Sequence, residues 1–180
     1  MYKITGPGRR QILNFYLPGD MPDLHSFHLG VMDAGIASLT PCTFGLIPHE
    51  AIREVCRRQP GVSDALWKLT LIDSAIFREW IVNIGQRTSG VRLAHLLCEF
   101  FMRSRAADLA DTNTCPFPIT QQELADATGI SVVHGNRMLQ ELRESGLINL
   151  TQRRLTVLDW NGLREAGDFE PTFLHYLPEG

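Results

Sequence analysis

The sequence predicts an α+β fold in three parts: a short β-rich beginning, one long helix, and an end of short helices closed by a strand pair. Three observations predict it. Residues 1–59 are broken every few positions by Gly and Pro, in "GPG", "LPGD", "MPD", "TPC" and "IPH". Short apolar runs between such breakers favour strands and turns. Residues 61–110 hold no proline, and their apolar positions recur at three and four, the helical period. Beyond "DTNTCPFP", which reads as a linker over residues 111–118, short helical patterns end in glycine stops and give way to two short apolar runs.

In residues 11–17 the side chains Ile12, Leu13, Phe15, Tyr16 and Leu17 suit a buried strand, closed by the Pro18-Gly19-Asp20 turn. His25 and His28, with His49 added, offer conceivable metal ligands, but exposed loop histidines are the preferred account and no metal site is expected. A long helix follows over residues 63–86. Val62, Leu66, Leu69, Ile76 and Trp80 are spaced 4, 3, 7 and 4 apart, with Asp73 and Asn83 in the same register. That stripe either packs on the chain's own β-portion or pairs with a twin helix. A helix this long cannot hide its full length on so small a β-region, so pairing in a homodimer is preferred. Asp73 and Asn83 would then fix the register at a cost in stability, or rotate to the helix edge and stay wet. "GQRTSG", residues 85–90, is small and polar enough for a hinge. A second helix over residues 91–107 carries Leu93, Leu96, Leu97, Phe100 and Phe101 on one face.

After the linker, Thr120 and Glu123 form a capping box that opens a short helix with Leu124 and Ala125 inside. Thr128-Gly129 ends it. Ser131 caps the next helix, which runs through Met138, Leu139 and Leu142 to Ser145-Gly146. Two short helices across a glycine-containing turn are the helix-turn-helix signature, and strands over residues 147–150 and 154–158 add a wing. The expected partner is double-stranded DNA. Side chains at the start of the second helix face the major groove: Val132, Val133, Asn136 and Arg137. Asn136 can pair an adenine edge, and either valine can touch a thymine methyl. Gly135 sits where a packed apolar residue is wanted, so Gly135→Val is expected to raise thermal stability.

Composition sets the outer bounds. A chain of 180 residues can bury a real core. Its 44% hydrophobic and 21% charged content is ordinary for a soluble protein. The net charge of -3 argues against a uniformly basic binder but leaves binding confined to one face open. From Ser131 to Arg154 four arginines oppose two glutamates, a local charge of +2. No run of about 18 uncharged apolar residues suggests a membrane span, and "MYKITGPGRRQ" lacks an apolar signal core. Cys42, Cys56, Cys98 and Cys115 contain no CxxC pair, so neither a disulfide framework nor a zinc knuckle is expected. Cys42, Cys56 and Cys98 suit small buried hydrophobes, with a redox-sensing cysteine as the alternative. A cytoplasmic location with reduced thiols follows. No Ser/His/Asp grouping, GxGxxG or GxxxxGK is present. No catalytic residues are expected, and the chain does not read as an enzyme.

"ITQQELADATGISVVHGNRMLQELRESGLI" with "LTVLDWNGLREAGDF" resembles the DNA-binding half of the Crp/Fnr family of bacterial transcription regulators. "GRRQILNFYLPGD" resembles the later strands of that family's effector domain, a cyclic-nucleotide-binding-type β-roll, and residues 60–88 its dimerisation helix. The resemblance covers essentially the whole chain. It implies a partial β-roll over residues 1–59, a dimerisation helix and hinge over 60–88, and a winged helix-turn-helix over 89–180. It places Arg137 on the arginine that reaches guanine O6 and N7, which suits the guanidinium fork. It places Thr120, Gln121, Gln122, Ser131 and His134 on phosphate-holding positions, with solvent exposure as the alternative for His134. Arg153 and Arg154 at the wing tip would touch backbone or form a solvated turn. Further implications are a homodimer on an inverted repeat, RNA polymerase as a partner, and an effector acting through the hinge at residues 85–90.

Two departures matter. The family's β-roll begins several strands before "GRRQI", which implies a truncated chain, a late start or a reduced member. "PGDMPDLHSFHLGVMDAGIASL" has no arginine to hold a buried phosphate, so no cyclic nucleotide is expected. The oxygen sensors' N-terminal cysteine cluster is also missing. No cofactor is expected, and the effector stays unnamed. The alternative function is an effector-binding or dimerisation module that has lost independent DNA binding and modulates a full-length relative.

Overall fold

The computed structural model describes residues 1–176; the last four residues of the expected 89–180 portion lie outside the described residues. The chain mixes helices with two small sheets, as expected. Strands β1 (Tyr2–Ile4) and β2 (Arg10–Ile12) pair antiparallel, with Tyr2 opposite Ile12 and Ile4 opposite Arg10. Gly8, at φ 80°, allows the turn between them.

The buried strand expected over residues 11–17 is shorter than its apolar run. It stops at Ile12; Leu13 and Asn14 still exchange main-chain bonds with Met1, and side chains pin the residues that follow. Phe15 enters the core edge-on to Trp80, with ring centroids 6.0 Å apart, and to Phe100 at 6.5 Å. The Tyr16 hydroxyl donates to Asp73 Oδ2 at 3.1 Å, and Asn14 Nδ2 to Oδ1 at 3.4 Å. Burial raises the Asp73 pKa.

The rest of the expected β-roll is not strand. Residues 28–48 run largely exposed, joined to β1 by one bridge between Tyr2 and Gly35. His49–Arg58 is a helix, α1. Glu50 and Arg53 pair at 2.6 Å, and Glu54 pairs with Arg57 and Arg58 at 2.6 and 2.5 Å. Charge pairs at i,i+3 and i,i+4 support a helix whose apolar face, Ile52, Val55 and Cys56, is nowhere fully buried.

Helix α2 (Pro60–Gln86) starts on a proline at its first position, where no backbone donor is lost. Its expected seam is split. Ile76, Trp80 and Asn83 are buried inside the same chain, and Asp73 is engaged by Tyr16 and Asn14. Val62 and Leu66 are half-buried and Leu69 is exposed. Besides Leu69, the large apolar residues left bare along the helix are Trp67, 66% exposed, Leu71, Ile81, 71% exposed, and Val82. Each lies two residues from a seam position (69, 80 or 83), about 200° around the helix. From Asp73 onward the periodicity thus located the face that meets the chain's own core, whereas Val62, Leu66 and Leu69 lie beyond that core.

Helix α3 (Ser89–Ala106) is the centre of the molecule, with Leu93, Ala94, Leu97 and Cys98 fully buried. The hinge before it is smaller than expected. Arg87 and Thr88 alone separate the helices. Arg87 is held 2.7 Å from Glu79 and 3.3 Å from Asp168. A buried polar node ties α3 to the beginning of the chain. Arg103 donates to Glu99 at 3.1 Å, Asn14 at 2.8 Å and Asp20 at 3.0 Å, while Trp80 Nε1 donates to the other Glu99 oxygen at 2.8 Å. Burial raises the Glu99 pKa. Burial opposes the Arg103 charge, but Glu99 and Asp20 outweigh it and hold the guanidinium protonated.

The expected linker contains a strand, β3 (Thr114–Pro116), at the edge of a sheet in the order β3–β5–β4. Of the cysteines expected inside, Cys98 is buried, with its thiol pushed up to about 12, whereas Cys42 is exposed and Cys56 intermediate. Cys115, on β3, is buried.

Candidate nucleic-acid interface

Helix α4 (Gln121–Thr128) opens on a complete capping box. Thr120 N donates to Glu123 Oε2 at 2.7 Å, and Glu123 N to Thr120 Oγ1 at 3.2 Å. Gly129 ends it in the left-handed region at φ 68°. Ser131 Oγ accepts from His134 N at 3.2 Å and starts helix α5 (Val132–Glu144). Leu124, Ala125, Met138, Leu139 and Leu142 fill the angle between the two helices. Strands β4 (Ile148–Thr151) and β5 (Arg154–Val157) form the wing. Its turn places Gln152 at φ 50° and Arg153 at φ 58°. Two successive positive φ values make a type I′ hairpin, a geometry that glycine or asparagine adopts more easily. Helix α6 (Trp160–Ala166) then packs back on α3, with Trp160 5.8 Å from Phe101. A Cβ at Gly167 would lie 2.8 Å from the His95 backbone nitrogen, so glycine sets how closely α6 can end against α3.

The first turns of α5 form the exposed edge of this unit. Val133 is 82% exposed and touches no core. The Arg137 side chain is 65% exposed, with Nε 3.8 Å from Glu141. Val132 is half-buried. Asn136 is also half-buried, and its Oδ1 is covered without a partner. In this rotamer it cannot offer both amide atoms to an adenine edge, so the expected bidentate contact needs a side-chain rotation.

The expected phosphate contacts divide. Gln121 and Arg153 are exposed and carry no side-chain bond among those described. Gln122 donates to Asp126 at 2.7 Å, and Arg154 to Asp111 at 2.9 Å. Thr120 and Ser131 spend their hydroxyl oxygens on helix caps. What they leave for an anion is the remaining first-turn amides of the two helices. His134, expected to hold a phosphate or else to face solvent, is half-buried and does neither here: its ring bonds Ser89 and Arg137.

Four residues that shape the unit were not anticipated. Arg92 donates to the Thr128 carbonyl and, at 3.1 Å, to that of Arg87, fastening the end of α4 to the hinge. Arg10, on β2, donates to Asp126 at 2.7 Å, and its neighbour Gln11 to the Ala127 carbonyl at 3.3 Å. Ser89 reaches α5 from the start of α3. Pairings across such sequence distances leave no local pattern to read.

Helices α4 and α5, with the strand pair beyond them, define a winged helix-turn-helix protein. Residues 91–166 match the model of the Crp-like helix-turn-helix domain. The chain is 30% identical over 167 residues to the transcriptional activator protein FnrL of Cereibacter sphaeroides, covering 89% of this chain and 66% of that one. It is 29% identical over 161 residues to the nitrogen fixation regulation protein FixK of Bradyrhizobium diazoefficiens, covering 88% and 66%. Among solved structures, FixK2 from Bradyrhizobium japonicum superposes with a TM-score of 0.71 at 20% identity, covering 92% of this chain and 80% of that one. A CRP-family transcriptional regulator from Thermus thermophilus gives 0.60 at 21%, covering 93% and 82%. The chain belongs to the Crp/Fnr family. It spans about two thirds of the length of the two curated relatives, 66% of each. Among the described residues no helix is long and apolar enough to cross a membrane.

Proposed function

We propose that the chain is a sequence-specific DNA-binding transcription regulator that acts as a dimer on an inverted repeat. One observation carries this reading: the outer face of α5 is exposed, with Val133 bare and Arg137 projecting from a helix held on its inner side. Val133, and Val132 beside it, supply methyl contacts to thymine. Arg137 reads guanine, and Asn136 reads adenine after rotating its amide. Gln121, Arg153 and the helix N-termini hold phosphates without reading sequence. Gln122 joins them if it leaves Asp126, and Arg154 if it leaves Asp111.

The twin chain packs on the bare face of α2, where Trp67, Leu71 and Ile81 are exposed at helical spacing and the bonded pair Arg78–Ser74 lies between them. Two recognition helices then fall into successive major grooves about 34 Å apart. The effector in this reading is not a cyclic nucleotide, since residues 18–39 hold no arginine. Its binding would act on the Arg87 clasp to Glu79 and Asp168 and so reorient the heads. The regulator works in the cytoplasm and meets RNA polymerase at the promoter it controls.

Selection of bound sequences from a random duplex pool, at one stated salt concentration, tests the reading. An enriched inverted repeat supports it. Salt-sensitive binding with no enriched motif refutes independent recognition and favours a module that acts through a full-length relative. Sedimentation of Ile81→Asp tests the dimer face separately, with loss of the dimer expected and an unchanged association constant counting against it.

A further inference from the structure

We propose that His134 is a positioning residue that aims the Arg137 guanidinium at its base and ties that aim to the start of α3. The inference rests on the base-reading role proposed for Arg137 and assigns to His134 a task other than holding phosphate.

Hydrogen-bond chemistry fixes the direction of the chain of contacts. Arg137 Nη2 lies 2.9 Å from His134 Nδ1. A guanidinium has donors and no acceptor, so Nδ1 must accept. A neutral imidazole with a bare Nδ1 carries its proton on Nε2, which lies 2.5 Å from Ser89 Oγ and donates to it. Both ring nitrogens are therefore spent, and neither is free for a phosphate oxygen.

The geometry around the contact gives it a purpose. Arg137 is long and mostly exposed, and an unrestrained arginine would sample many rotamers before docking. His134 restrains it from one side, and Glu141, 3.8 Å from Nε, from the other. The second hydrogen on Nη2 and both on Nη1 stay available, which leaves the fork able to reach O6 and N7 together. His134 is itself anchored at both ends. Its backbone amide binds the Ser131 cap, and its ring binds Ser89, the first residue of α3. The approach of α3 to α5 is close here: a Cβ at Gly90 would lie 3.3 Å from Met138 Sδ. Ser89 comes directly after the Arg87–Thr88 hinge, so any movement of α3 relative to α5 stretches or releases Ser89–His134–Arg137.

The test uses the full chain and a pair of duplexes, the selected operator and the same operator with 7-deazaguanine at the position that Arg137 reads. Removing N7 removes one of the two acceptors. The readout is the ratio of the two affinities, with circular dichroism confirming that each variant is folded. Arg137→Ala should abolish the discrimination. His134→Leu should lower it about three- to tenfold, the range set by leaving one long side chain to be immobilised on binding, while affinity for unrelated duplex stays constant. His134→Gln, whose Oε1 can accept from Arg137, should keep most of the ratio, and Ser89→Ala should lose part of it.

A His134→Leu protein that keeps full discrimination but binds every duplex more weakly, with a shallower salt dependence, overturns the proposal and marks His134 as a phosphate contact. Arg137→Ala without effect on the ratio overturns the base-reading role itself, and the proposal with it.

Discussion

Gly135→Ala should stabilise the protein, and the structure sets how much. Gly135 is buried on the inner face of α5, where a glycine leaves both a helix-propensity deficit and a missing contact. A Cβ built there lies 3.5 Å from Ile130 Cδ1 and 3.8 Å from Cγ1, ordinary van der Waals separations with no backbone in the way. Glycine to alanine inside a helix is worth about 1 kcal/mol. The new methyl also closes against Ile130 and adds a few tenths more, up to about 0.8 kcal/mol for full burial of one carbon. A gain of about 1–1.5 kcal/mol follows, a rise in Tm of roughly 3–5 °C for a chain of this size. Gly135→Val should gain less, because a branched side chain holds one χ1 rotamer in a helix and its methyls meet space that Ile130 already fills. Urea unfolding at 25 °C should show a higher midpoint for alanine with an unchanged slope. An unchanged or lower midpoint would mean that the Ile130 wall cannot accept even one carbon, and would refute the argument.

Three further outcomes are expected. Gly167→Ala should cost about 1–3 kcal/mol in urea titration, because its Cβ would sit 2.8 Å from the backbone nitrogen of His95, which cannot give way as a side-chain end can. Arg103→Met should cost about 3–5 kcal/mol by leaving Glu99 buried without its cation, and Arg103→Met with Glu99→Leu should recover much of that loss. Arg153→Gly should stabilise the wing by about 1 kcal/mol through relief of its positive φ, yet flatten the salt dependence of DNA binding by about one unit of slope if Arg153 holds a phosphate.

The elements with local chemistry were legible in the sequence. Thr120 with Glu123, Gly129, Ser131 and Gly146 marked the ends of α4 and α5 because caps and left-handed turns depend on residues within four positions. Proline-free periodicity likewise located α2 and α3. The misreadings share a cause as well. "DTNTCPFP" looked like a linker because of its prolines, although Cys115, Phe117 and Ile119 alternate inward at the strand period. Helix α1 was hidden because residues 1–59 were read as one breaker-rich β-portion, although residues 49–58 hold no Gly or Pro and pair charges at i,i+3 and i,i+4. The α2 stripe was real, but a period reveals that a face is apolar and not what covers it. At the interface, residue types gave the base-reading candidates. That His134 is committed to Ser89 and Arg137, or that Asn136 turns its oxygen inward, depends on rotamers and on partners up to 45 residues away.

The bond from Arg10 to Asp126 spans 116 residues. Closing a loop of that length costs conformational entropy that grows with the logarithm of its size, and such distant pairings form late and slowly. A ribosome therefore delivers the strand that carries Arg10 long before the helix that carries Asp126 exists. The first helix of the DNA-binding unit is completed only when that early segment folds back on a much later one. A winged helix expressed from residue 89 onward would lose this stitch, and with it the guanidinium that neutralises Asp126 beside Gln122, as well as the Phe15 and Trp80 rings that pack against α3.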